Sequence, residues 1–512
     1  MNGDHARAAQ LLASLSDAQP GQVEIARKAL SEALGAGRIE LALRLARSVP
    51  PASLATDARL LLVGEEIKRE HAERALVLLD RPAETGDLTF LDPLVRAWSA
   101  ADRGDAAQAL TALDTVPPKS LLSSVLDQEH ALILLKFRRT AEAEPYARRA
   151  VGSAGGREQR LRLALADGFL SAGDRPRALM IVEGMGEGEV AARQRILAGK
   201  SAGLAIDSLP KAFAEVLTAF SIDLSRMART APPIGLIQVA RYANPQDSSI
   251  TALLALVLAE QNRTDEAVAL LRTAPANGPQ AAQIRDVETR VFINAKRMND
   301  AYGVAATAAA TAAADSADYL RLGDVLQAMN RHSEAADAYS RAVALARSQN
   351  LRGELTNLLF LQAGALEEAK RWPEAKVALQ QALTIAPDQP ALLNFLGYAE
   401  LERGENVDSA EAMIRKASEL APDDASITDS LGWAEFKRGK VDQAIATLQQ
   451  AAEKDPQQSE IQEHLGDALY RSGRRYEARF AWSAALATAE DATVNRLKAK
   501  LASGLTSANA AP

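Results

Sequence analysis

The stretch that decides the fold is ASITDSLGWAEFKRGKVDQAIATLQQAAEKDP, Ala425–Pro456. It reads as two helices joined by a turn. Gly439, in KRGK, permits the left-handed backbone that closes a first helix before such a turn. Pro456 has no N–H and disfavours helix in the residue before it, so it ends the second. Gly432, Ala444 and Ala451 are small where the two helices must cross, and Leu431 and Leu448 fill the space between them.

The pattern recurs on both sides. Leu465-Gly466 and Leu396-Gly397 lie one period after and one before Leu431-Gly432. Ala410, Ile414, Ala417 and Pro422 return as Ala444, Leu448, Ala451 and Pro456, then as Ala478, Trp482 and Ala485. A period of about 34 residues with this spacing resembles the tetratricopeptide repeat. The resemblance implies an all-α fold, a right-handed superhelical solenoid of antiparallel helix hairpins whose first helices line a concave surface.

Upstream the spacing persists while its spelling decays. Gly323, Ala335, Tyr339 and Ala342 form one copy, and Ala363, Ala375, Leu379 and Ala382 another. Further back only small-residue pairs such as Ala143/Ala147 and Ala178/Val182 remain. The expected organisation is degenerate hairpins over 1–186, a register break or joint at 187–212, and degenerate repeats over 213–315. Well-formed repeats follow over 316–492, then a capping helix at 493–503 and a disordered tail at 504–512. The glycine-rich break from Gly184 to Phe213 leaves two readings open, a joint between solenoid segments or a degenerate repeat with extra loops. At the other end, NGDHARAAQLLASLSDAQP (Asn2–Pro20) aligns without a gap on Arg438–Pro456, Gly3 falling on Gly439 and Pro20 on Pro456. It therefore reads as a second helix whose first helix would lie upstream in the natural protein, with a cap as the alternative.

Composition narrows the function. With 47% hydrophobic and 24% charged residues, the chain belongs with folded proteins, not disordered ones. A net charge of −7 argues against a nucleic-acid surface. No apolar run is long enough for a transmembrane helix. The absence of cysteine removes disulfides and thiolate chemistry. GKSAG (Gly199–Gly203) has the letters of a nucleophile elbow but lacks the strand–turn–helix context that strains such a serine. The five histidines show no metal-ligand spacing. No catalytic, cofactor-binding or metal-binding residue is expected, and the chain reads as a non-enzyme.

The informative constellation is the inward face. Carrying over the family's geometry places Asn394, Tyr398 and Glu402 there, then Asp429, Trp433 and Lys437 with Phe436, then Glu463, Asp467, Tyr470 and Arg471. Twelve of the 22 aromatics lie after residue 315, so this end is the one equipped for apolar contact. Aromatic bodies flanked by carboxylates suit a protein or peptide ligand with a basic segment. The alternative is that Trp433, Phe436 and Tyr470 only fill the space between helices. Asp429 and Glu463 occupy positions where a carboxylate-clamping family member would carry cations, which disfavours that subclass.

ASITDSLGWAEFKRGKVDQAIATLQQAAEKDP and EIQEHLGDALYRSGRRYEARFAW (Glu460–Trp482) also look like the C-terminal repeats of proteobacterial envelope tetratricopeptide proteins. That group includes lipoprotein adaptors for a carboxyl-terminal processing protease. The resemblance implies a scaffold or adaptor whose partner is a protease or an envelope assembly factor. It implies a periplasmic or envelope location if the natural chain begins upstream, and a cytoplasmic one otherwise. A cytosolic assembly or regulatory module, and a platform for glycan-handling enzymes, are the competing functions.

Overall fold

The computed structural model describes residues 5–511 except 20, 81–85, 186–187, 276–278, 313 and 350, and describes 352, 491 and 492 by backbone alone. Every regular element among them is helical, and they divide into two compact units, residues 1–305 and 306–512.

The first unit opens with α1 (His5–Ala18). Hairpins α2/α3 (Val23–Gly35, Ile39–Ser48), α4/α5 (Thr56–Lys68, Ala72–Asp80) and α6/α7 (Asp92–Asp102, Ala106–Asp114) follow. Next come α8/α9 (Leu126–Lys136, Thr140–Ser153) and α10/α11 (Glu158–Ser171, Arg175–Val182). After them lie α12 (Glu189–Leu197), α13 (Leu209–Ala228) and α14 (Ile234–Ala243). The unit continues with α15/α16 (Ser248–Glu260, Thr264–Leu271), α17 (Ala281–Asn294) and most of α18 (Met298–Ala309). α1 packs on α2. Gly3 and Pro20, on which its sequence alignment leaned, lie outside the described residues.

The second unit holds five hairpins. They are α19/α20 (Ser316–Ala328, His332–Ser348), α21/α22 (Arg352–Glu368, Trp372–Ile385) and α23/α24 (Pro390–Glu402, Val407–Leu420). α25/α26 (Ala425–Lys437, Val441–Lys454), α27/α28 (Ser459–Arg471, Arg475–Thr488) and a closing helix α29 (Asp491–Ser503) complete it.

Two devices build every hairpin. The first is close approach. A Cβ on Gly397 would stand 2.8 Å from the Ala410 carbonyl oxygen, and one on Gly432 would stand 2.6 Å from Leu448. The facing alanines, Ala410, Ala417, Ala444 and Ala451, are fully buried. Burial of this kind, at roughly 25 cal/mol per Å² of apolar surface, holds each hairpin together. The second device is the turn. Gly439 takes φ +76°, and the following amide of Lys440 closes onto the Glu435 carbonyl at 2.9 Å. The same closure recurs at Arg371 on Leu366 (2.8 Å) and Arg139 on Leu134 (2.9 Å). There Lys370 and Arg138 hold the left-handed position in place of glycine.

In the first unit, residues 201–243 leave the hairpin path and run back across the first helices. Asp167 of α10, 2% exposed, accepts hydrogen bonds from the Ser201 hydroxyl (2.7 Å) and from the amides of Ala202, Gly203 (3.1 Å) and Leu204 (2.7 Å). Lys136 of α8 donates to the Asp207 carbonyl at 2.6 Å. Asp102 of α6 accepts from the Leu209 amide at 3.0 Å. α13 then packs on α6 and α4, and α14 on α4 and α2. Gly64 of α4 lies against Phe213, Val239 and Tyr242, and Gly37, just after α2, lies against Gln238. The segment thus visits α10, α8, α6, α4 and α2 in reverse order, as a strap. Residues 187–212, expected as a joint or a loop-rich repeat, hold α12 and the start of this strap.

The chain's end differs from expectation. The tail at 504–512 was expected to be disordered, yet 504–511 fold back onto α27. The Ala511 amide donates to the Asp467 carboxylate at 3.0 Å, Asn509 donates to the Gly504 carbonyl at 2.9 Å, and Leu505 packs on the cluster around Trp482. The reason is electrostatic. Asp467 is fully buried, and a buried carboxylate needs donors from every direction available.

Candidate functional site

The first helices α23, α25 and α27 carry the sequence-selected strip, and the structure connects its members from repeat to repeat. Trp433, 1% exposed, donates its indole N–H to Glu402 at 3.0 Å, and Lys437 donates to the same carboxylate at 3.2 Å while lying 5.2 Å from the Trp433 ring centre. One repeat later His464, fully buried, meets Asp429 at 2.9 Å and stacks on Trp433 with ring centres 4.0 Å apart. Phe436 also stacks on Trp433, 4.9 Å between ring centres. On the same helix α27, Glu463 receives Arg496 (2.7 Å) and Lys500 (2.6 Å) of the following helix α29. Asp467 receives Lys500 (2.7 Å) and the Trp482 indole (2.9 Å). Tyr470 packs on Trp482, 5.4 Å between ring centres.

Most of the strip is therefore internal structure. Trp433, Asp429, Glu463 and Asp467 are buried and satisfied, so the interhelical filling that stood as an alternative for Trp433 describes it. Burial pulls the His464 imidazole toward its neutral form, but the Asp429 carboxylate outweighs burial and holds its pKa above the usual value. Burial likewise raises Glu463, and the bonds from Arg496 and Lys500 outweigh it, leaving that carboxyl below the usual range.

Asn394 and Tyr398 are less fully engaged. Asn394 has its side-chain oxygen buried with no hydrogen-bond partner. Tyr398, partly buried one helical turn further along, makes no hydrogen bond through its hydroxyl among the described residues, and its pKa is raised first by burial and then by Glu402, Glu460 and Asp429. An unsatisfied acceptor and a phenol whose pKa three nearby carboxylates help to raise make a polar spot that favours donors and positive charge. Arg471 is exposed at the rim of α27. No cluster of metal-ligating side chains occurs among the described residues, and none of their helices is long and apolar enough to cross a membrane.

Comparison with known proteins agrees with the hairpin geometry. A family model described as tetratricopeptide repeat matches residues 236–282 and 320–390, and one described as TPR repeat matches 432–473. Those residues carry tetratricopeptide repeats. Among solved structures, the Cut9–Hcn1 hetero-tetramer of the APC/C is similar over 98% of this chain and 94% of the other, at 15% identity and a TM-score of 0.39. A tetratricopeptide repeat protein of Parabacteroides merdae is similar over 50% of this chain and 97% of its own, at 14% identity and a TM-score of 0.39. YrrB, a TPR protein with an unusual peptide-binding site, is similar over 38% and 97%, at 20% identity and a TM-score of 0.29. No curated protein sequence matches the chain.

Sequence reasoning missed the strap and an apolar cleft beside it in the first unit. The signal was present in α13, where Leu217, Phe220, Leu224 and Met227 recur at helical spacing past the point where that helix is buried.

Proposed function

We propose that this protein is a non-enzymatic scaffold that captures an extended, basic protein or peptide segment on α23, α25 and α27. The observation that carries this is the unsatisfied side-chain oxygen of Asn394 one helical turn from Tyr398. Both side chains offer unused hydrogen-bonding groups on the face where the first helices of successive repeats meet, and Glu402, Asp429 and Glu460 lie near enough to Tyr398 to help raise its pKa. The rest of the strip supports this polar spot by fixing it. The Trp433–His464 stack and the Lys500 cluster hold α25 and α27 in register, which keeps a bound segment's ordering cost low. The likeness of the last repeats to envelope adaptors favours a periplasmic partner, a protease or an assembly factor, over a cytosolic one.

The test is a photo-crosslinking residue placed at Tyr398 in the native host, with the same residue at the exposed Glu453 of α26 as the control. The expected result is one discrete adduct from position 398, found in the envelope fraction and lost in Asn394→Leu. Identical adduct patterns from both positions would rule out this polar spot, and a cytosolic adduct would move the partner search inside the cell.

A further inference from the structure

The first unit contains an open apolar cleft of about 710 Å³ between the strap helix α13 and the hairpin elements it crosses. Its walls are Leu60 of α4, Leu88 and Phe90 from the stretch before α6, Leu121, and Leu217 and Phe220 of α13. Phe90 and Phe220 meet at 5.9 Å between ring centres and form its floor. The apolar surface does not stop at the mouth. Met227 is 84% exposed, Leu121 62% and Leu224 47%. A cleft whose greasy rim continues onto the surface fits a macromolecular partner better than an enclosed small molecule.

The charges at the rim decide what kind of partner. Both carboxylates in the lining are engaged. Asp87 accepts from the Thr89 amide (2.8 Å) and hydroxyl (2.7 Å), and Asp223 pairs with Arg157 at 3.2 Å. Arg226 has no ion-pair or hydrogen-bond partner among the described residues. Its side chain lies against Gly155 and Gly156, where a side chain at either position would crowd it. Asp87 has Arg59 as its cationic neighbour and Asp223 has Arg157, which leaves Arg226 as the charge in the lining without an opposite partner among the described residues.

α13 shows what this face already accepts. It is an amphipathic helix whose apolar side, Phe213 and Phe220 included, packs across the hairpins, while its acids pair with arginines of the same face. Glu215 meets Arg160 at 2.5 Å and Asp223 meets Arg157. We propose that the cleft beside α13 docks a second such element, an acidic amphipathic helical segment of a protein partner. Its apolar side chains would seat against Leu60, Leu88 and Phe220, and one of its carboxylates would pair with Arg226. This site is separate from the polar spot at Tyr398 and selects the opposite charge.

The experiment is display selection on the full chain with a library of random 16-residue peptides, counter-selected against the Leu121→Asp/Met227→Asp double variant. Both positions are exposed, so the variant folds, as an unchanged melting temperature will confirm. The expected result is enrichment of net-acidic peptides with apolar residues at three- and four-residue spacing. Their affinity should fall at least about tenfold on the double variant, because apolar anchors dominate such contacts. It should fall about threefold on Arg226→Glu, in keeping with a rim ion pair. Enrichment of basic peptides, equal binding to the double variant, or no enrichment would overturn the proposal. So would stoichiometric displacement of the enriched peptides by palmitate, which would make the cleft a lipid site.

Discussion

The first helices of the two units meet different fates. In the first unit they are covered by the chain itself, residues 201–243 running over α10, α8, α6, α4 and α2. In the second they hold one another, through Glu402 to Trp433, Asp429 to His464, and Glu463 with Asp467 to Lys500. The hairpin is the same; what differs is how its inward polar groups are satisfied. A covering segment satisfies them once, from a distance in sequence. A repeat-to-repeat ladder satisfies them locally, with partners 31 to 37 residues apart, and leaves a gap wherever one rung lacks its mate, as at Asn394.

The largest expected effects come from cutting each arrangement at its anchor. Asp167→Ala removes the acceptor for three strap amides and the Ser201 hydroxyl. At roughly 1–3 kcal/mol for each buried donor left unsatisfied, local stability should fall by about 4 kcal/mol. Lys500→Met leaves the Asp467 carboxylate buried without its cation, at a cost of about 3 kcal/mol. Hydrogen exchange separates the two. Asp167→Ala should deprotect 201–213 and spare the second unit, and Lys500→Met should deprotect α29 and 504–511 and spare the first. Deprotection spreading through both units in either variant would show that the two modes are not independent.

These anchors also mark what the sequence could show. The hairpins of the second unit were legible because Gly397, Gly432 and their facing alanines report close approach directly. Several hairpins of both units make the same turn with a non-glycine residue in the left-handed position, Glu70 and Arg138 in the first and Asn330 and Lys370 in the second, so there the glycine signal is missing although the geometry is not. The strap was illegible for a different reason. Asp167, Lys136 and Asp102 read as ordinary helix-surface charges, and their partners at 201–209 are displaced by 34 to 107 residues with no period to reveal them. The strip was legible as a face but not as an occupied one. Its acids and aromatics lie one repeat apart because they bind each other, a pattern that a free ligand groove would share.

A second, smaller test uses pH. In the first unit Glu129 is fully buried, and burial pushes its carboxyl up to about 8, with the Trp98 indole N–H at 2.7 Å pulling the other way. The folded state then holds a proton that the unfolded chain releases near 4.3, so stability falls as pH rises from about 4 to 8. In the second unit the raised His464 pKa acts in the same direction but later. Its ion pair with Asp429 is complete below the unfolded value of about 6.5 and is lost as pH climbs through the folded one. Glu129→Gln should flatten the first unit's dependence alone, and His464→Gln the second's alone. Local exchange rates measured from pH 5 to 9 read both, and a slope that survives its own substitution would assign it to another group.

The smallest effect tests whether the hairpins of the two units are one structure under different spelling. A non-glycine residue in the left-handed region costs about 1 kcal/mol relative to glycine. Arg138 at φ +59° and Lys370 at φ +62° hold that position, one in each unit. Arg138→Gly and Lys370→Gly should each stabilise their hairpin by somewhat less than that, because glycine also frees the unfolded chain. Gly439→Ala, at φ +76°, should destabilise by a similar amount. Equal and opposite shifts in local opening free energy would mean that the turn, not the glycine, is what the repeat conserves along this chain. A loss at Arg138→Gly would mean that its side chain holds the first unit in a way the turn geometry does not explain.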